Sequence, residues 1–169
     1  MRIVTPLALV ALALAGCTRD ALEPGSGPLL RTDGTHYVLR RVEPDAQYHF
    51  ARREMTVTFT FTNLTGHDVA AVGCFVPFPP VMQKKVGDGW VDAFNTGVYA
   101  CVGVPTWIVA GGSYRADMPV QIIVPDVEPV PRWDNDAGDI EGTYRLLWRV
   151  LAPATDEQRA SNEFTIVPD

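Results

Sequence analysis

Carboxylates, thiols and imidazoles are the side chains here with the chemistry to hold a metal or attack a substrate, and their spacing restricts what they can do. Asp134, Asp136 and Asp139 cluster within the acidic, turn-rich stretch from Asp126 to Glu141. Hard cations favour such clustered oxygen ligands, which makes the three a calcium candidate. An EF-hand loop, however, needs Gly at its sixth position and an acid at its twelfth, where this chain has Asp139 and Arg145, so a solvated acidic loop is the preferred reading. His36, His49 and His67 fall at no paired metal spacing, and Cys74 and Cys101 form no Cys-x-x-Cys. Ser26, Ser113 and Ser161 offer no nucleophile elbow, and the chain lacks a phosphate loop and a zinc motif. No catalytic residue, cofactor or firm metal site is expected, and the chain reads as non-enzymatic.

The N-terminus gives an address. Arg2 precedes an apolar segment from Leu7 to Leu14, too short to span a bilayer as a helix, and Leu14-Ala15-Gly16-Cys17 closes it. These four residues are similar to the lipobox at which bacteria lipidate a cysteine and cleave before it. The resemblance implies a signal peptide over residues 1–16, acyl chains on Cys17 and a membrane partner through that anchor. Thr18 rather than Asp after the cysteine implies the outer membrane if the source has two membranes. Residues 17–34, with Pro24-Gly25-Ser26-Gly27-Pro28, read as a flexible tether.

About 135 residues, 35–169, are left for one domain. Export leaves Cys74 and Cys101 as an even pair in an oxidising compartment, and a disulfide between them is expected. The formal net charge of −6 and the absence of a basic stripe exclude the usual electrostatics of nucleic-acid binding. Arg40-Arg41 and Arg52-Arg53 read as solvated strand faces or edges.

The elements that must carry these residues are strands. Met55, Val57, Phe59 and Phe61 alternate with Thr56, Thr58, Thr60 and Thr62, which places one apolar and one hydroxyl face on a strand. Asn63-Leu64-Thr65-Gly66 then predicts a turn, with Gly66 at positive φ. Val81 to Val86 and Trp90 to Phe94, around Gly87-Asp88-Gly89, predict a hairpin. Further strands are expected over Val69 to Phe75, Val98 to Val104, Tyr114 to Val124, Tyr144 to Leu151 and Asn162 to Val167. Helical signals are nearly absent, so the expected fold is all-β, an antiparallel sandwich.

Several motifs together resemble a bacterial immunoglobulin-like domain of secreted and lipid-anchored envelope proteins. They are Thr58-Phe59-Thr60-Phe61-Thr62-Asn63, Lys84-Lys85 leading to Gly89-Trp90-Val91, Gly111-Gly112-Ser113-Tyr114, Gly142-Thr143-Tyr144-Arg145-Leu146, and Ser161-Asn162-Glu163-Phe164-Thr165-Ile166. Tyr144 stands where such a fold places a tyrosine corner, whose hydroxyl bonds back to a loop backbone, while Leu146 stands where an antibody domain has its second cysteine. The resemblance implies architecture and transfers no catalytic residue.

The expected function is therefore binding or positioning of an envelope protein. Phe75, Phe78, Met82 and Trp107 form the candidate interaction patch, because aromatics beside Pro77, Pro79 and Pro80 belong on an edge or an end of a sandwich. A protease inhibitor presenting Val104-Pro105-Thr106-Trp107 or Pro129-Val130-Pro131-Arg132-Trp133 is the alternative, and a calcium-dependent binding module is a third.

Overall fold

A computed structural model describes residues 29–46, 49–74, 76–95, 103–124, 132–133, 138–149 and 159–169. The fold is all-β. Its strands are β1 (Leu30–Thr32), β2 (His36–Val42), β3 (Ala51–Thr62), β4 (Val69–Ala71), β5 (Val81–Val86), β6 (Gly89–Asn95), β7 (Thr106–Ile108), β8 (Ser113–Val124), β9 (Arg132–Trp133), β10 (Gly142–Leu147) and β11 (Phe164–Pro168).

β3 is the axis of one group of strands. It pairs along its whole length with β8, from Ala51 opposite Val124 to Thr62 opposite Ser113. Its other edge is shared by β1, with Leu30 opposite Phe61, and by the end of β2, with Arg40 opposite Glu54. β2 leads into a second group in the order β11, β10, β5, β6 and β9, while β4 and β7 form a separate two-stranded ribbon. The expected antiparallel pairing holds except between β2 and β11, which run parallel, with Thr165 opposite His36. A parallel pair needs a long connection, and here nearly the whole domain supplies it.

The β3 alternation is as expected. Met55, Val57, Phe59 and Phe61 are buried, because a period of two sends every second side chain to the same face. Against them lie Tyr144, Leu146 and Trp148 of β10 and its end, all fully buried. Trp148 makes edge-on contacts with Phe59 and Phe61 at centroid distances of 5.5 and 5.6 Å, and a tilted one with Tyr114 at 5.5 Å. Such offset and edge geometries match the positive ring edge to a negative ring face, adding to the area each ring buries.

Three sequence expectations change. The domain starts before residue 35, because Leu29 and Leu30 are buried and β1 covers the β3 edge that would otherwise stay open. Arg52 is buried rather than solvated, with ion pairs to Asp45 at 3.0 Å and Glu54 at 3.1 Å. The expected strand over Val98 to Val104 lies largely outside the described residues, and the strand found nearby is β7, at Thr106–Ile108.

Candidate functional site

Pro77 and Pro79 lack a backbone N–H, so the segment carrying them cannot extend a central ladder and passes along the side of the domain. Two bonds fix its course. The N–H of Phe78 donates to Val72 O at 2.9 Å, and the indole N–H of the fully buried Trp148 donates to Phe78 O at 2.8 Å.

Across from this segment runs β8, which among the described residues pairs only with β3. Tyr114, Ala116 and Met118 lie on its inward face, the first two only half-buried, and among the described residues no further strand pairs beyond them. Between the two lies a cleft of about 470 Å³. Val76, Pro77 and Pro79 line one side, Tyr114, Ala116 and Met118 the other, and the buried Phe59 and Phe94 also line it. Asp117 is the one acidic residue among those lining the cleft, and its carboxyl group accepts from Thr58 Oγ1 at 2.6 Å. Burial raises the Tyr114 phenol above its ordinary pKa, so the ring stays neutral at physiological pH. The cleft lining is mainly apolar, with Tyr114, Asp117 and Gln121 as its polar side chains, which suits an extended chain bearing apolar side chains.

The expected patch of four residues is not assembled as one surface. Met82 is fully buried, opposite the equally buried Leu146 of β10, and it cannot contribute to an exposed patch. Phe78 is half-buried, and Phe75 lies outside the described residues. Trp107 is exposed, but on β7, directly opposite Ala70 of β4. Sequence reasoning found the proline segment and missed Tyr114, Ala116 and Met118. Their alternation with Arg115 and Asp117 marks an inward face, but nothing local says that the face is left open.

Gly103 comes so close to the backbone of Gly73 and Cys74 that a Cβ there would collide with the Cys74 carbonyl. Its N–H donates to Gly73 O at 2.9 Å. Cys101 lies outside the described residues, as does Cys17.

Asp134 and Asp136 of the calcium candidate also lie outside the described residues, whereas Asp139 is exposed. Its backbone carbonyl accepts from Nζ of Lys84, a buried ammonium that also lies 6.0 Å from the Tyr144 ring centroid. Among the described residues, no group of three or more His, Cys, Asp or Glu is placed to hold a metal.

The remaining motif residues serve the fold. Tyr144 donates its hydroxyl to the carbonyl of Ile140, the bond expected of a tyrosine corner, and burial pushes its phenol pKa up. Ser161 Oγ is occupied, accepting from Leu146 N at 2.9 Å and donating to Asn162 O at 2.7 Å. Of the loops considered for inhibition, Thr106 and Trp107 are held in the β4–β7 pair, and Arg132 and Trp133 pair with Asn95 and Phe94. No family model, curated protein or solved structure matches the chain.

Proposed function

We propose that the protein is a lipid-anchored, non-enzymatic component of a bacterial cell envelope, and that its immunoglobulin-like sandwich holds an extended apolar segment of another envelope protein. The observation that carries this reading is the cleft between residues 76–79 and β8. An added strand gains main-chain hydrogen bonds at a sheet edge and places alternate side chains into an adjoining pocket, the mode known as β-augmentation. Pro119 interrupts the exposed edge of β8, which confines such pairing to the part nearer Tyr114.

The fold reading is supported by the strand β2, which pairs with both strand groups, by the Trp148 contacts between them, and by the Tyr144–Ile140 bond. The anchor reading is supported by Leu14-Ala15-Gly16-Cys17. A Cys74–Cys101 disulfide belongs to the same proposal and is supported by the backbone contact of Gly103 with Gly73.

The test is photo-crosslinking with p-benzoylphenylalanine at position 76 in the membrane-bound protein. Val76 is 68% exposed at the cleft, and Val38, 46% exposed on β2, is the control position. A discrete polypeptide adduct from 76, absent from 38 and abolished when Ala116→Trp fills the cleft, is expected. An adduct that survives Ala116→Trp, or none at all, would reject the cleft as the binding site. Intact mass checks the anchor separately, the expected species beginning at an acylated Cys17.

A further inference from the structure

One pole of the domain gathers exposed apolar side chains around the point where the chain enters the fold. Thr62 N donates to Leu29 O at 2.8 Å, so the first described residue sits at the end of β3. Asn63, next in sequence, donates through its backbone to Gly112 O at 2.9 Å and accepts from Gly111 N at 2.8 Å. Its side-chain amide donates to Ile108 O at 2.8 Å, which adds the end of β7 to the same pole. Leu64, Trp107 and Val109 flank these bonded residues and are 49%, 62% and 58% exposed. Trp107 and Val109 are two positions apart, on the outward side of the ribbon whose inward side buries Val69, Ala71 and Ile108.

We infer that this pole, through Trp107, Val109 and Leu64, docks on the surface of the lipid bilayer. The inference rests on the proposed anchor at Cys17, and the length of chain before the fold argues for the occupant. Eleven residues separate Cys17 from Leu29. The coil predicted by their Pro-Gly-Ser-Gly-Pro composition spans about 20 Å. A domain of about 140 residues has a radius of gyration of about 14 Å, so that span is shorter than the domain is wide. The pole bearing Leu29 is therefore held toward the bilayer, and the cleft beside β8 is oriented with it. Trp suits this position, since its apolar ring and polar N–H match the layered polarity of the interface. The net charge of −6 opposes attraction to anionic lipid, so the contact is apolar and insensitive to salt.

The test uses the full lipidated protein, extracted from membranes and reconstituted into phosphatidylcholine vesicles with and without brominated acyl chains. Brominated lipid is expected to quench part of the tryptophan emission, equally at low and high salt. Trp107→Phe is expected to lose most of that quenching, while Trp90, Trp133 and Trp148 continue to emit. Vesicle co-flotation and intact mass read the anchor independently, with Cys17→Ser as the unanchored control. Protein that floats with acylated Cys17 but shows no Trp107-dependent quenching overturns the docking and leaves the anchor standing. Protein that neither carries acyl chains nor floats overturns both. If a photo-crosslinker at position 107 joins a polypeptide and quenching is absent, the pole is a protein interface instead.

Discussion

The indole N–H of Trp148 and the carbonyl of Phe78 meet at 2.8 Å, and through this bond the centre of the core holds the proline segment that forms one wall of the cleft. The same ring contacts Phe59 and Tyr114, which both line the cleft from the β3–β8 side. One side chain thus touches both walls.

Replacing that ring tests the relationship. Trp148→Phe leaves the Phe78 carbonyl without its donor and removes part of a filled volume, and a loss of about 2–4 kcal/mol is expected in urea unfolding. Amide exchange should quicken at Val76 and Phe78 more than in β11. Equal protection in both variants would mean that the bond does not hold the segment.

Asn63 gives the second prediction. Its amide donates to His67 O at 2.7 Å and Ile108 O at 2.8 Å, while Oδ1 accepts from Thr65 N at 3.2 Å and Thr65 Oγ1 at 2.6 Å. Gly66 completes the turn at φ 79°, where a side chain would be strained. Asn63→Ala removes all four bonds from a buried position, and about 3 kcal/mol of stability should be lost, against less than about 1 kcal/mol for Leu64→Ser on the exposed neighbour. Parallel denaturation curves of the two variants decide the point.

Tyr144 and Tyr37 make stability fall in alkali. Burial raises both phenols, and for Tyr37 a hydrogen bond to Asp33 adds to the shift, to about 12. The unfolded chain has ordinary phenols of pKa 10.0 and sheds their protons first as pH rises. The stabilisation is therefore complete below pH 10 and is lost as pH climbs from there through the folded-state values. The urea midpoint should drop above pH 10, and more gently in Tyr144→Phe, which costs about 1 kcal/mol at neutral pH for the lost bond to Ile140. A variant with the wild-type alkaline slope would contradict this.

The proposed Cys74–Cys101 bridge closes a loop of 28 residues. On the chain-entropy argument its reduction should cost about 3.5 kcal/mol. Alkylation of the unfolded protein, read by mass, should label neither cysteine before reduction and both after it. Labelling before reduction would show that the bridge is absent.

The strands most legible in the sequence were those whose burial follows a local period. Met55 to Thr62 alternates cleanly, and the glycines between Val86 and Trp90 mark the hairpin. What failed depended on distant partners. Leu29 and Leu30 follow a Pro-Gly-Ser-Gly-Pro run and pass for tether until β3 is seen to need a neighbour at Phe61. Met82 lies in an apolar, proline-flanked run, and its burial is set by pairing with Leu146, far along the chain. The parallel β2–β11 pair joins the two ends of the domain, and no local pattern signals it. For the cleft, the proline segment was visible, but that Tyr114 and Ala116 stay half-covered follows only from the strand that β8 lacks among the described residues.

An extended polypeptide is proposed to lie along β8 in the apolar cleft. Amide hydrogen exchange of the membrane-extracted complex, compared with the free protein, tests it most directly. Slowed exchange confined to Ser113–Met118 and to the amides of Val76 and Phe78, and absent in Ala116→Trp, is the predicted result. Unchanged exchange along β8, with protection on another face of the domain, would contradict it.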